Sequence, residues 1–156
     1  MKVRIEIIED AENEEIVIRC AGINERIQLI ERTVAGLLSK TPALTLYKDG
    51  EEFYLSPKKI LFFETQNETV CAHTADDAYK TKQRLYELEN ILPREFIRIS
   101  KSAIINVRHI MSISRNLSAS SLIKFHGSHK QVYVSRSYFK AMRQRLDEIR
   151  AGSAIR

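Results

Sequence analysis

The segment FIRISKSAIINVRHIMSI, residues 96–113, interleaves β-branched apolar side chains with single cations. Its isoleucines can fill a hydrophobic core: Ile97, Ile99, Ile104, Ile105 and others. The cations Arg98, Lys101 and Arg108 must stay in water or meet an anion, since burying an unpaired charge is costly. The stretch VYVSRSYFKAMRQRL, residues 132–146, repeats this pattern. Basic residues on a rigid apolar scaffold are typical of a surface that binds a polyanion.

The charge of the chain is divided between its two parts. Residues 1–93 contain 12 Lys/Arg and 17 Asp/Glu, whereas residues 94–156 contain 13 Lys/Arg and only three acidic residues. The first part therefore carries −5 and the second +10, which together give the net charge of +5. Such a division favours a directed electrostatic face. On charge alone, a merely solvated surface with a charged tail remains the alternative.

The totals indicate one domain with a small appendage. At 156 residues and 44% hydrophobic content the chain is ordinary for a globular protein and too apolar for disorder. The sequence contains neither a membrane-spanning apolar run nor the apolar core of a signal peptide, so we expect a cytoplasmic protein. Cys20 and Cys71 lie far apart, which suits reduced, structural thiols.

Residues 1–42 are predicted to form a β-β-α extension. Alternating polar and apolar residues indicate strands at 2–8 and 15–20. From residue 23 the apolar residues recur at steps of three and four, which predicts a helix over 23–40 that Pro42 ends. This helix is expected to form a dimer or partner surface, and simple packing on the rest of the chain is the alternative.

The remaining chain is predicted to contain many short strands and two short helices. A hairpin is expected around Asp49-Gly50. A short strand is expected before the helix that Pro93 ends. The other strands are expected at 60–64, 69–74, 96–100, 107–114, 121–126 and 131–135. One helix is expected to end at Pro93, and a second to span Ser137–Arg150. A short turn or helix is expected at 102–106 and a loop at 114–121. The predicted fold class is mainly β (α+β), without βαβ alternation.

In this order the segments resemble the LytTR DNA-binding domain of bacterial transcriptional regulators, over about residues 43–147. The resemblance depends on a strand that ends in Glu64 and a Leu-rich helix closed by Leu92-Pro93. It depends equally on the motifs FxRxxxSxxxN and VSR, which comprise Phe96, Arg98, Ser102, Asn106, Val134, Ser135 and Arg136. One such element would be a weak signal, but their order and spacing together are specific.

The resemblance implies an elongated arrangement of small antiparallel sheets in residues 43–150, followed by a tail at 151–156. Loops would enter successive major grooves of double-stranded DNA. The DNA-contacting residues that the resemblance implies are Gln66, Asn67, Glu68, Ser100, Lys101, Ser102 and Arg136. Lys101 and Arg136 suit either a guanine or a phosphate. An Arg side chain suits guanine and an amide suits adenine. Arg98, Arg108 and Arg115 are expected to contact phosphates, and so to position the protein without specifying sequence. Relatives often have His-Arg or His-Lys where this chain has Ser100-Lys101, so the base preference can differ.

The resemblance also suggests partners. Forty-two residues are too few for the receiver domain that many relatives carry, so the chain looks like the short, stand-alone type. We expect this protein to act as a homodimer on repeated half-sites. Some stand-alone regulators of this kind are restrained by a small membrane-bound regulator protein, which is a further expected partner.

Other classes of function receive less support. His126 and His129 fall on a Gly-containing turn with no carboxylate or thiol nearby in sequence, so we expect no metal site. No catalytic residue set, phosphate-binding loop or cofactor motif is found, and we expect neither an enzyme nor a small-molecule substrate. The alternatives are a protein-interaction module without direct DNA readout and an RNA-binding protein.

Overall fold

The computed structural model describes residues 16–38, 43–115 and 120–154, and the chain divides into two compact units, Met1–Lys40 and Thr41–Arg156. In the first unit, helix α1 spans Glu25–Leu38, as predicted. Asn24 caps this helix, since its Oδ1 accepts a hydrogen bond from the Ile27 amide at 3.0 Å. The predicted strand at 2–8 lies outside the described residues.

The strand predicted at 15–20 is wrong. Residues 16–20 have no regular secondary structure, and no described strand pairs with them. Alternation of polar and apolar residues indicates a strand only where a neighbouring strand can accept and donate its backbone hydrogen bonds.

The second unit contains two antiparallel sheets, which confirms the mainly β (α+β) class. The large sheet has seven strands in the order β2-β1-β5-β4-β3-β7-β6. These strands are β1 Leu44–Lys48, β2 Glu51–Leu55, β3 Phe62–Gln66, β4 Thr69–His73, β5 Ala78–Thr81, β6 Phe96–Ser100 and β7 Ala103–Asn106. A 3-10 helix, Pro57–Lys59, precedes β3, and α2, Leu85–Ile91, separates β5 from β6.

The small sheet has three strands in the order β10-β9-β8. They span Ile110–Arg115 (β8), Ser121–Phe125 (β9) and Gln131–Val134 (β10), and β8 follows a 3-10 helix at Val107–His109. The last element is α3, Arg136–Ala154, which is longer than the predicted helix and includes part of the expected tail.

The turn or helix predicted at 102–106 is wrong, because Ala103–Asn106 form the internal strand β7. It pairs with both β3 and β6, and all of its side chains are buried. A strand that is buried on both faces shows no alternation of polar and apolar residues, so its period cannot be read from the sequence. The strand predicted at 107–114 begins only at Ile110, because residues 107–109 form the short 3-10 helix.

Each face of the large sheet carries its own hydrophobic cluster. Neighbouring residues of β3 point to opposite faces, so that Phe63 joins one cluster and Phe62 the other. The Phe63 cluster includes Leu85 and Leu88 of α2. The Phe62 cluster includes the small sheet and α3, and the rings of Phe62 and Phe125 stack with centroids 5.4 Å apart. The two sheets and α3 therefore pack together through the Phe62 cluster.

His73 is buried between the sheets, where its ring stacks on Phe62 with the centroids 4.2 Å apart. Neither ring nitrogen has a hydrogen-bond partner in the described part of the chain. Burial lowers the pKa of His73, Lys130 lowers it further, and Glu64 raises it. The imidazole is thus held in its neutral form.

Polar contacts fix the sheets at the end where β4 finishes. Lys48 Nζ lies 2.5 Å from Asp77 Oδ2, and the Ser128 hydroxyl donates to the carbonyl of Ala75 at 2.9 Å. The pKa of Lys48 is raised and that of Asp77 lowered by this pair. These contacts join the β4–β5 connection to β1 and to the β9–β10 turn.

Candidate nucleic-acid interface

The first predicted contact segment is a two-residue turn that projects from the large sheet. Gln66 is paired with Thr69, and Asn67 and Glu68 between them have φ angles of 47° and 65°. Two left-handed residues in a two-residue hairpin define a type I′ turn. Gln66, Asn67 and Glu68 are exposed, and Gln66 Nε2 donates to Glu64 Oε2 at 2.9 Å. The turn thus presents polar side chains to solvent from a rigid base.

The second segment, Ser100–Ser102, lies directly beside the first. The amide of Thr65 donates to the carbonyl of Ser102 at 2.8 Å, because β3 and β7 are antiparallel neighbours. Lys101 and Ser102 are exposed, and the Ser100 hydroxyl accepts from the Ser102 amide at 3.1 Å. Two segments that are 34 positions apart therefore form one surface.

Arg136 joins this surface through the strand that precedes it. The amide of Ser135 donates to the carbonyl of Ile99 at 2.9 Å, next to the second segment. Arg136 is exposed and begins α3. We call the three segments, residues 66–68, residues 100–102 and Arg136, the turn cluster. Backbone hydrogen bonds hold all three at one end of the large sheet.

Arg115 lies at the corresponding end of the small sheet. It is the last residue of β8 and pairs with Ser121, which in turn pairs with Val134 just before the Ser135–Arg136 segment. Its guanidinium carbon lies 4.9 Å from the centre of the Phe139 ring in the first turns of α3. This cation is therefore placed on the side of the turn cluster where α3 begins.

Arg108 lies elsewhere. It belongs to the 3-10 helix that follows β7, so it occupies the opposite end of the β6–β7 hairpin from Lys101. Its Nε is 3.9 Å from Glu95 Oε1, and its amide donates to the Asn106 side chain at 3.1 Å. The structure does not bring Arg108 together with the turn cluster.

Arg98 points back into the protein instead of outward. Its Nε donates to the carbonyl of Ser100 at 2.7 Å, and its Nη2 donates to the carbonyl of Lys101. Its Nη1 donates to Glu89 Oε2 at 2.9 Å, and only 22% of the Arg98 side chain is exposed. Each of the three guanidinium nitrogens thus donates one hydrogen bond to the turn cluster or to α2.

Two residues that contact the turn cluster or Arg98 were not predicted from the sequence. Arg84, at the N-terminal cap of α2, has its Nη1 3.4 Å from the carbonyl of Glu68. Glu89 of α2 pairs with Arg98. Both contacts join positions nine or more residues apart, and no local pattern in the sequence indicates them.

The described residues contain no group of three or more His, Cys, Asp or Glu residues that could hold a metal ion. No helix in this part of the chain is long and apolar enough to cross a membrane. The described cysteines are both free; Cys20 is exposed, and Cys71 is half-buried, which raises the pKa of its thiol.

Comparison with known proteins points to the same family as the linked motifs. The family model of the LytTr DNA-binding domain matches residues 50–147. A protein named as an uncharacterised HTH-type transcriptional regulator of Staphylococcus aureus strain NCTC 8325 is 34% identical over 147 residues, which is 94% of this chain and 98% of the relative. One from strain MSSA476 is 36% identical over 132 residues, 84% of this chain and 88% of that protein.

The fold agrees with a solved structure as well. A LytTr DNA-binding domain from Bacillus cereus superposes with a TM-score of 0.62 at 26% identity, and the match covers 67% of this chain and 96% of that domain. In the described residues, strands separate the three helices from one another, so no two of them form a helix-turn-helix unit. From the matched family model, these relatives and this fold, the chain belongs to the LytTr DNA-binding domain family.

Proposed function

We propose that this protein is a sequence-specific transcription regulator that binds double-stranded DNA through the turn cluster. One observation carries the proposal: the backbone hydrogen bonds from Thr65 to Ser102 and from Ser135 to Ile99 assemble the three segments without using their side chains. The exposed cationic side chains of Lys101 and Arg136 are left available for a ligand.

The chemistry of the turn cluster suits the edges of bases in a major groove. Arg136 offers a planar fork for guanine O6 and N7, and Lys101 offers a point charge for the same acceptors or a phosphate. The amides of Gln66 and Asn67 match adenine, and Glu68 can accept from the amino group of cytosine. The hydroxyls of Ser100 and Ser102 can donate to or accept from the edges of bases. The major groove is favoured because there all four base pairs present different patterns.

Arg115 is the proposed phosphate contact beside the cluster. Phosphate contacts fix orientation and add affinity that depends on salt, while base contacts give the preference for a sequence. Arg108 is not included in this surface, because it lies at the opposite end of the β6–β7 hairpin.

Selection of bound duplexes from a random pool tests the proposal directly. We expect enrichment of a defined motif, and fluorescence anisotropy on that motif should show log K falling by about 0.9 per neutralised phosphate as log salt rises. Lys101→Ala should weaken binding, whereas Lys59→Ala is the matched control, since Lys59 is exposed at the other end of β3. A folded protein that enriches no sequence and retards no duplex at low salt would instead support a protein-interaction module.

The oligomer that we propose is a homodimer assembled through residues 1–42, with each copy reading one of two repeated half-sites. Exposed apolar side chains in the first unit support this: Ile16, Val17 and Ile23 are 62%, 59% and 77% exposed. Their burial in a second copy would be favourable. The other proposed occupant of this surface is a small membrane-bound regulator protein that would restrain the regulator in the cytoplasm. Light scattering with size exclusion tests the dimer, and a molar mass of one chain, 18.0 kDa, would contradict it.

A further inference from the structure

The edge strand β6 contains a bulge beside the turn cluster. Arg98 pairs with Ile104 and Ser100 pairs with Ala103, so the register shifts between these pairs and Ile99 has no opposite residue. A bulge leaves backbone groups outside the regular ladder, and these groups need other partners.

The three carbonyls that follow this shift are all satisfied from outside the ladder. The carbonyl of Ile99 accepts from the Ser135 amide at 2.9 Å. The carbonyls of Ser100 and Lys101 both accept from the Arg98 guanidinium. One side chain thus fixes two successive peptide groups of the segment that carries Lys101.

Glu89 fixes the guanidinium in turn. Its Oε2 lies 2.9 Å from Arg98 Nη1, and it belongs to α2, whose Leu85 and Leu88 are buried in the Phe63 cluster. The helix therefore provides a rigid support for the Arg98 side chain. Three of the five guanidinium N–H donors are therefore already used inside the protein, and the ion pair with Glu89 offsets the charge that would attract a phosphate.

We propose that Arg98 is a positioning residue, which holds the Ser100–Ser102 segment in its DNA-reading conformation while Glu89 orients it. This inference depends on the proposed function and replaces the expected phosphate contact of Arg98. It assigns to the Glu89–Arg98 pair a share of the sequence preference, although neither residue contacts a base.

Two roles for Arg98 predict different salt dependence. If Arg98 is a positioning residue, Arg98→Gln should reduce the ratio of specific to non-specific affinity about tenfold or more, equivalent to one lost base contact, and leave the salt slope unchanged. If Arg98 contacts a phosphate, the slope should fall by about 0.9 and the ratio should stay the same. Anisotropy titrations of the selected duplex and a scrambled duplex over a range of salt concentrations distinguish these outcomes, and the second would overturn the proposal.

Glu89→Gln provides a second test that does not remove the arginine. A positioning pair predicts weaker specific binding, because the guanidinium loses its orientation. A phosphate contact predicts stronger binding to both duplexes, because a competing carboxylate has been removed. The matched control is Glu95→Gln, which changes the charge equally and affects the longer Arg108–Glu95 ion pair, 3.9 Å apart, at the other end of the same hairpin. Equal effects of the two substitutions would contradict the proposal.

A readout without DNA separates this inference from the proposed function. Amide hydrogen exchange of Lys101 and Ser102, measured by NMR on the full chain, should accelerate at least several-fold in Glu89→Gln and remain unchanged in Glu95→Gln. If the wild-type protein shows no sequence preference, the proposed function fails, but this exchange still tests whether Arg98 fixes the segment. Unchanged exchange in Glu89→Gln would refute the positioning role.

Discussion

The backbone amide of Ser135 donates a hydrogen bond to the carbonyl oxygen of Ile99, with 2.9 Å between the nitrogen and the oxygen. This bond joins the residue after β10 to the bulged part of β6. Arg136 follows Ser135 directly, and Ser100 follows Ile99, so the bond brings Arg136 to the segment that contains Lys101. The position of Arg136 is therefore set by a main-chain hydrogen bond between the two sheets.

Arg136→Ala should weaken binding to the selected duplex by about 1–3 kcal/mol and relax the preference at one base pair. The reason is the loss of a guanidinium that can bind a base with two hydrogen bonds. The control is Arg150→Ala, on the same helix but about 21 Å farther along its axis at 1.5 Å per residue. Anisotropy against duplexes substituted at each position measures both effects. Unchanged affinity and preference in the Arg136 variant would remove this residue from the interface.

Glu68→Gly should stabilise the protein by about 1 kcal/mol. Glu68 has a φ of 65°, a conformation that costs a residue with a Cβ about 1–2 kcal/mol, and glycine avoids this cost. Part of the gain, about 0.5–1 kcal/mol, is lost to the greater freedom of glycine in the unfolded chain. Urea unfolding monitored by circular dichroism gives the difference. Thr69→Gly, at the adjoining strand position, should instead destabilise, and stabilisation by both substitutions would contradict this explanation.

Acidification should destabilise the fold through His73. Its pKa is lowered in the folded state by burial, so below the unfolded value of about 6.5 the unfolded chain binds the proton more tightly. The contribution of His73 to stability is therefore complete above that value and is lost as the pH decreases through it. Lys130 adds to this effect and Glu64 opposes it.

The measurement for His73 is urea unfolding at pH 7.5 and pH 5.5, compared between the wild type and His73→Leu. The variant should lose most of the difference between the two pH values. Asp77, whose pKa is lowered by Lys48, titrates far below this range and does not contribute. An equal pH dependence in both proteins would assign the effect to other groups.

Asn106→Ala should destabilise the protein by about 2–4 kcal/mol. Asn106 is only 1% exposed, its Nδ2 donates to the carbonyl of Ile60 at 3.2 Å, and its Oδ1 accepts from the Arg108 amide at 3.1 Å. Removing the amide group leaves a buried carbonyl with one partner fewer, which is more costly than the hydrogen bond itself is worth. Thermal unfolding tests this, with the exposed Asn90→Ala expected to change stability by less than about 0.5 kcal/mol.

The sequence allowed the prediction of those elements whose signals are local. The turn at Asp49-Gly50 forms as expected, with φ angles of 51° and 79°, because few residue pairs tolerate two left-handed conformations in succession. The helix that ends before Pro93 and the strand at Phe96–Ser100 are also confirmed. The spacing of FxRxxxSxxxN likewise reflects one hairpin, in which Phe96 is paired with Asn106.

What could not be predicted depends on contacts between distant residues. Ala103–Asn106 form an internal strand, and a strand without an exposed face has no polar period. The side chain of Arg98 follows a cationic pattern that suits a DNA contact, yet its direction is decided by Glu89 and by two carbonyls of a bulge. Neither a composition nor a spacing rule contains that information, because it arises only when α2 and β6 pack together.

The main-chain bonds that assemble the turn cluster also bear on how a protein of this kind can evolve. These bonds use only backbone groups: the amides of Thr65 and Ser135 and the carbonyls of Ser102 and Ile99. Every residue except proline has both a backbone amide N–H and a carbonyl. Side chains in one segment can consequently be replaced while the other two segments keep their places. Under the proposed function, new binding preferences would then arise one segment at a time, on a main-chain frame that stays the same.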